Sequence, residues 1–198
     1  MYTKNLFVSI LICLLIILSA HLALALNITS IEAGSGKEYK VAEAPIDVDV
    51  KYYIDRDYVV IELPDEFKGM PFIMTANDDK HSQGPDFLCF EIDAPATVWV
   101  AHDSRGEEEK GGAPPDWLAS NFKKHADLAI KVTDANMDTF VLWEKDFPAG
   151  KVCLGGNEDA PAAGHGSNYL VLVEETGAAT SVELTGKLST TWGKIKSE

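Results

Sequence analysis

The stretch Asn77–Asp86, NDDKHSQGPD, sets oxygen-bearing side chains, a lysine and a histidine between two apolar runs, PFIMTA and FLCFEI. Its carboxylates suggest hard-cation chemistry, and Asp78, Asp79 and Asp86 together offer a structural calcium site, with Asn77 a further oxygen donor. Such a site needs roughly six to eight oxygens, several of them from backbone. The stretch has no DxDxDG run and no terminal glutamate, so its spacing is not that of an EF-hand. Two other readings use the same residues. Asp and Asn bond their own backbone in Asx-turns, which makes this a plain polar connection bent at Gly84-Pro85. Asn77, Asp78, Asp79, Lys80 and His81 also suit hydrogen bonding to sugar hydroxyls. Beyond a structural calcium, no cofactor is expected.

The sugar reading needs a stacking surface. Trp99 in TVWVAHD is out of phase with Val98 and Val100, and Trp143 in TFVLWEKDF with Phe140 and Leu142. Two such tryptophans predict a platform for a sugar ring, each with an apolar face and a polar N–H. The competing expectation is a sheet face covered by another layer. His102, Asp103 and Arg105 follow the Trp99 strand directly and would form a polar rim if that strand end lies beside the loop. The candidate ligand set is therefore Asn77, Asp78, Asp79, Lys80, His81, Trp99, His102, Asp103, Arg105 and Trp143. Simple surface pairing of Asp79 or Asp103 with Lys80 or Arg105 would contribute little. Trp117 reads as a core plug.

Catalytic templates fit poorly. GHGSN lacks the glycine after serine that a nucleophile elbow requires. AGSGK lacks the upstream glycine of a P-loop, and neither GxGxxG nor HExxH occurs. Among 31 acidic residues, carboxylate pairs arise anywhere, so they carry no glycosidase signal. No CxxC or Cys/His cluster points to zinc. No catalytic residue is assigned.

The elements that must hold these residues are short strands. Apolar runs of about five to seven residues recur between polar or Gly/Pro stretches, several alternating with period two. Strands are expected near 28–33, 38–42, 46–50, 58–63, 71–76, 87–93, 97–102, 128–132, 139–145, 151–154, 169–175 and 181–184. In the fourth, Val59, Ile61 and Leu63 are expected on one face; in IDVDV, Ile46, Val48 and Val50 point inward. PPDWLASNF predicts one short helix with Asp116 as its cap. The charged, Gly/Pro-rich SRGEEEKGGAPP reads as mobile surface. The fold class is all-β: an antiparallel β-sandwich, jelly-roll or galactose-binding-like, with one short helix.

Residues 1–25 read as a secretory signal peptide, with Lys4, an apolar run from Leu6 to Leu18 and an Ala23-Leu24-Ala25 cleavage site. The run is shorter than the ~20 residues that span a bilayer. A sandwich over residues 26–185 and a tail over 186–198 follow, with no membrane span after cleavage. The expected location is secreted, periplasmic or extracellular. Losing Lys4 moves the formal charge from −14 to about −15, which excludes nucleic acid as a natural partner, since phosphate binding needs clustered Lys and Arg. Cys89 and Cys153 then remain, each out of phase with its core neighbours, and in an oxidising compartment they can bridge. Two separate thiols are the alternative.

YYIDRDY, TANDDK, DFLCFEIDAPATVWVAHDSR, PPDWLASNF and WEKDFPAGKVCLGGN, in this order from Tyr52 to Glu175, resemble an all-β module of exported bacterial proteins. That module often accompanies polysaccharide lyases and glycoside hydrolases. The resemblance implies a galactose-binding or jelly-roll sandwich with a non-catalytic, glycan-associated role, and carries over no set of binding residues. Standing without a catalytic domain in the same chain, the protein is expected to be a secreted carbohydrate-binding module whose partner is a polysaccharide or cell-surface glycan. A cell-surface assembly protein without a small ligand and a secreted polysaccharide hydrolase are the alternatives.

Overall fold

The computed structural model describes residues 26–137 and 139–176. The expected signal peptide, the strand at 181–184 and the tail lie outside them. Among the described residues, ten strands and one helix build an antiparallel sandwich. In chain order they are β1 (Ile28–Ala33), β2 (Lys40–Val41), β3 (Val60–Glu62), β4 (Phe72–Met74), β5 (Leu88–Ile92), β6 (Ala96–Asp103), α1 (Asp116–Asn121), β7 (Lys123–Val132), β8 (Thr139–Phe147), β9 (Gly150–Leu154) and β10 (Leu170–Glu175). One sheet runs β1-β5-β9; the other runs β2-β4-β10-β6-β8-β7-β3.

The first core lies between the sheets. Leu88, Phe90 and Ile92 of β5 and Val152 and Leu154 of β9 meet Val98 and Val100 of β6 and Val171 and Val173 of β10. Leu118 and Phe122 of the helix region join the same cluster. Asp116 is the first helical residue and Pro115 takes the cap position, in keeping with the fixed φ of proline just outside a helix start. Cys89 faces Cys153 directly across β5 and β9, and the two are bridged. Period-two alternation put both off the core face, and that placement is what brings the sulfurs together.

A second core covers the other face of the large sheet. Trp99 and Ala101 of β6, Leu170 and Leu172 of β10, and Phe140 and Leu142 of β8 pack under Ile46, Tyr52, Tyr53, Phe67 and Met70. That cover is irregular chain, with one 3-10 turn at Asp65–Phe67 and isolated bridges such as Tyr53 to Thr75. Two expectations are corrected here. Residues 46–50 form a turn: Ile46 is bonded to Met70 and Gly69, Val50 N–H reaches the Asp47 carbonyl, and Asp49 sits at φ 64. Val48 is thereby left exposed. In β3, Val60 is buried and Ile61 exposed, the reverse of the expected phase. A bulge between Val60 and Glu62, where β3 meets β7, resets the alternation.

Candidate functional site

Asn77–Asp86 is a structural hub. Its first residues form a 3-10 turn, Asn77–Asp79, and the Asp55 carboxylate caps that turn by accepting the Asn77 and Asp78 N–H groups at 2.8 and 2.9 Å. Asn77 is buried and its Oδ1 accepts the Asn168 N–H. Asp78 is exposed and pairs with Arg56. Asp79 is buried and accepts hydrogen bonds from Lys37, Ser35 and Tyr39. Burial opposes ionisation of Asp79, but those three donors outweigh it and hold its carboxyl below the usual range. Gly84 takes φ 107, a conformation that favours glycine.

The three acids considered for calcium are not drawn together. Asp78 and Asp79 are each paired with a different cation, Arg56 and Lys37. Asp86 lies near Cys89 and Cys153, whose sulfurs are consumed by the disulfide.

The tryptophan platform is likewise corrected. Trp99 and Trp143 are 7% and 6% exposed, and they point to opposite faces of the large sheet. Trp99 packs edge-on against Phe67 and donates to Glu174. Trp143 donates to Glu107 at 3.1 Å. Being out of phase in a central strand signalled a second core, because both faces of this sheet are covered. Trp117 plugs the end of the first core: its N–H donates to the Gly156 carbonyl and its ring meets Phe122 and Tyr169.

His102, Asp103 and Arg105 pack against residues 165–167 of the loop that follows β9, His102 and Asp103 fully buried and Arg105 half-buried, and not as an open polar rim on Asn77–Asp86. Asp103 is fully buried and accepts from the N–H groups of Arg105, Gly166 and Ser167 and from the Arg105 guanidinium. Burial raises its carboxyl; these donors more than offset that and leave it low. His102 Nδ1 lies 2.7 Å from Glu107, a residue the sequence reading placed on mobile surface. Glu107 is 2% exposed and also meets Lys124 at 2.9 Å. The charge run therefore folds inward at one glutamate, and the signal missed was the cluster of complementary donors in His102, Lys124 and Trp143.

A groove of about 700 Å³ opens beside the start of the loop, lined by Glu38, Lys40, Lys51, Ile54, Arg56 and Met74 among others. Asp55 and Asp57 complete its charged wall. Asp55 and Arg56 link it to the loop through the Asn77–Asp78 turn. Lys51 and Asp57 form an exposed ion pair at 2.5 Å, and the hydrogen bond from Lys51 lowers the Asp57 carboxyl. None of the candidate ligand residues lines this groove directly. Its wall comes mainly from YYIDRDY, whose charges directly after two tyrosines were the available signal.

No family model matches the chain, and no curated protein matches it. Among solved structures, part of a β-glucuronidase from glycoside hydrolase family 2 superposes with a TM-score of 0.62 at 19% identity, covering 73% of this chain and 14% of that one. Part of a glycoside hydrolase family 138 enzyme targeting pectin rhamnogalacturonan II superposes with a TM-score of 0.48 at 15% identity, covering 76% and 17%. The chain thus spans less than a fifth of either enzyme. The first likeness is one of fold: a β-sandwich of this kind forms a small part of a much larger enzyme. Among the described residues, no helix is long and apolar enough to cross a membrane.

Proposed function

We propose that the protein is an exported, non-catalytic carbohydrate-binding β-sandwich that holds a neutral sugar chain in the groove lined by Lys40, Lys51, Ile54, Arg56, Asp57 and Met74. The groove carries this reading. Its volume of about 700 Å³ falls within the roughly 300–1,000 Å³ typical of ligand clefts. Its cations, Lys40, Lys51 and Arg56, are matched by Glu38, Asp55 and Asp57, with Ile54 and Met74 as apolar floor. Balanced donors and acceptors suit sugar hydroxyls, which both donate and accept. A polyanion fits less well, because a chain of net charge −14 repels it.

Opening the groove for a ligand is cheap, since an exposed pair such as Lys51–Asp57 contributes little. Binding suits the groove better than hydrolysis does. A glycosidase acid needs a raised carboxyl, whereas Asp57 is held low and Asp55 is committed to capping the Asn77–Asp78 turn. The signal-like leader, the disulfide and a fold shared with part of a glycoside hydrolase support an exported, carbohydrate-associated setting.

A glycan array, run in calcium and in chelator, tests the proposal. Retention of neutral oligosaccharides in both conditions is expected, weakened about tenfold or more by Lys40→Ala combined with Lys51→Ala. No glycan above background in either condition, with self-association of the purified protein instead, would replace this reading with that of an assembly module.

A further inference from the structure

Where the Asn77–Asp86 loop meets the segment after β9, two imidazoles and a carboxylate converge. One ligand atom each from His81, Glu158 and His165 lie within 4.8 Å of one another, and His81 Nδ1 is 3.0 Å from Glu158 Oε1. The two loops that supply them are already fastened together. Asn157 N–H donates to Ser82 Oγ, Glu158 N–H to the Ser82 carbonyl, and Gly84 N–H to the Asp159 carboxylate. The side chains are therefore held on fixed backbone before anything binds.

His165 is the informative member. Its Nε2 lies 3.1 Å from the Lys80 carbonyl. A carbonyl only accepts, so Nε2 carries the proton and Nδ1 keeps the lone pair. That Nδ1 is buried and has no hydrogen-bond partner among the described residues, and burying such a nitrogen unpaired is costly. A histidine whose one nitrogen is anchored to a backbone carbonyl while the other stays free has the arrangement of a metal ligand. On the inner side its ring stands 6.4 Å from that of His102, which Glu107 orients in turn.

From these observations we infer that His81, Glu158 and His165 form a binding site for a divalent transition metal of the zinc type. Two imidazoles and a single carboxylate disfavour calcium, which takes all-oxygen sets. Zinc accepts nitrogen and oxygen together, and three protein ligands leave a fourth position for water. Tetrahedral bonds of ~2.1 Å place donors roughly 3.4 Å apart. The His81–Glu158 pair is already that close, and the third donor lies within 4.8 Å of both. The His81 side chain is 63% exposed, which gives both an entry path and the freedom to adjust. A bound metal would staple the two loops. The inference stands independently of the carbohydrate reading.

The test is zinc titration of purified, tag-free, chelator-treated protein, read by metal analysis after dialysis and by thermal unfolding. About one zinc per chain is expected, with a rise in Tm from mass action that calcium does not reproduce. His81→Ala, at an exposed position that leaves the fold unchanged by circular dichroism, should weaken zinc at least tenfold, as should Glu158→Gln. Failure of folded wild-type protein to retain zinc would overturn the inference. So would equal retention by His81→Ala and Glu158→Gln, which would put the metal elsewhere.

Discussion

The two faces of the seven-stranded sheet are buried by different means. One is covered by a second sheet and a helix, regular elements locked by the Cys89–Cys153 bridge. The other is covered by chain between β2 and β4 that has almost no regular structure, yet Ile46, Tyr52, Tyr53 and Phe67 are as deeply buried as any residue of the first core. The contrast teaches that a sheet face can be sealed by anchors at irregular spacing. It also accounts for the groove. The regular cover closes over its core, whereas the irregular cover leaves a folded edge whose residues 51–57 line the groove.

The comparison is tested first by emptying each cover. Phe67→Ala and Phe90→Ala each remove a fully buried ring, and each is expected to cost about 3–5 kcal/mol in chemical denaturation. A cost below about 1 kcal/mol for Phe67→Ala alone would show that the irregular cover is a loose flap. Next comes the bridge, present on the regular side only. Cys89→Ser with Cys153→Ser is expected to lower stability by about 2–4 kcal/mol, measured as a fall in Tm, and to leave glycan binding unchanged.

Smaller effects come from the buried carboxylates. Asp103 and Glu107 are both held low by their donors against the opposing effect of burial. A depressed carboxyl stabilises the fold fully above its unfolded pKa, near 4, and that stabilisation is lost as pH falls through the lower folded value. These two carboxylates should therefore leave denaturation midpoints unaffected through neutral pH and lower them below about pH 4. Glu107→Gln should cost about 1.5–3 kcal/mol at pH 7 and flatten part of that acid slope. The smallest change is expected at the groove, where Lys51→Ala should alter stability by no more than about 0.5 kcal/mol while weakening sugar binding.

Much of the sandwich was legible because half-buried strands alternate. β5 and β9 follow period two, and the same periodicity placed both cysteines on one surface. It failed where that premise failed. β6 and β8 pack into a core on each face, so Trp99 and Trp143 looked like exposed exceptions although each belongs to a core. IDVDV alternates like a strand but turns at Asp49, because Ile46 is pinned by Met70 and Gly69. The candidate loop was correctly singled out as rich in polar chemistry, but most of that chemistry is spent internally: Asp79 on Lys37 and Tyr39, Asn77 on Asn168. The groove joins Glu38 and Lys40, Lys51 with residues 53–57, and Met74, and the metal cluster joins His81 to Glu158 and His165, 77 residues or more further along the chain. Neither has a local motif, since each exists only once the chain has folded.

The central claim is that the groove is the ligand face. A backbone-amide NMR titration with the best oligosaccharide from the array addresses it most directly. The account predicts shifts concentrated at Lys40, Lys51, Ile54, Arg56, Asp57 and Met74, with the amides of β5 and β9 unmoved. Saturable shifts centred on another surface, or none at ligand concentrations that saturate the array signal, would contradict it.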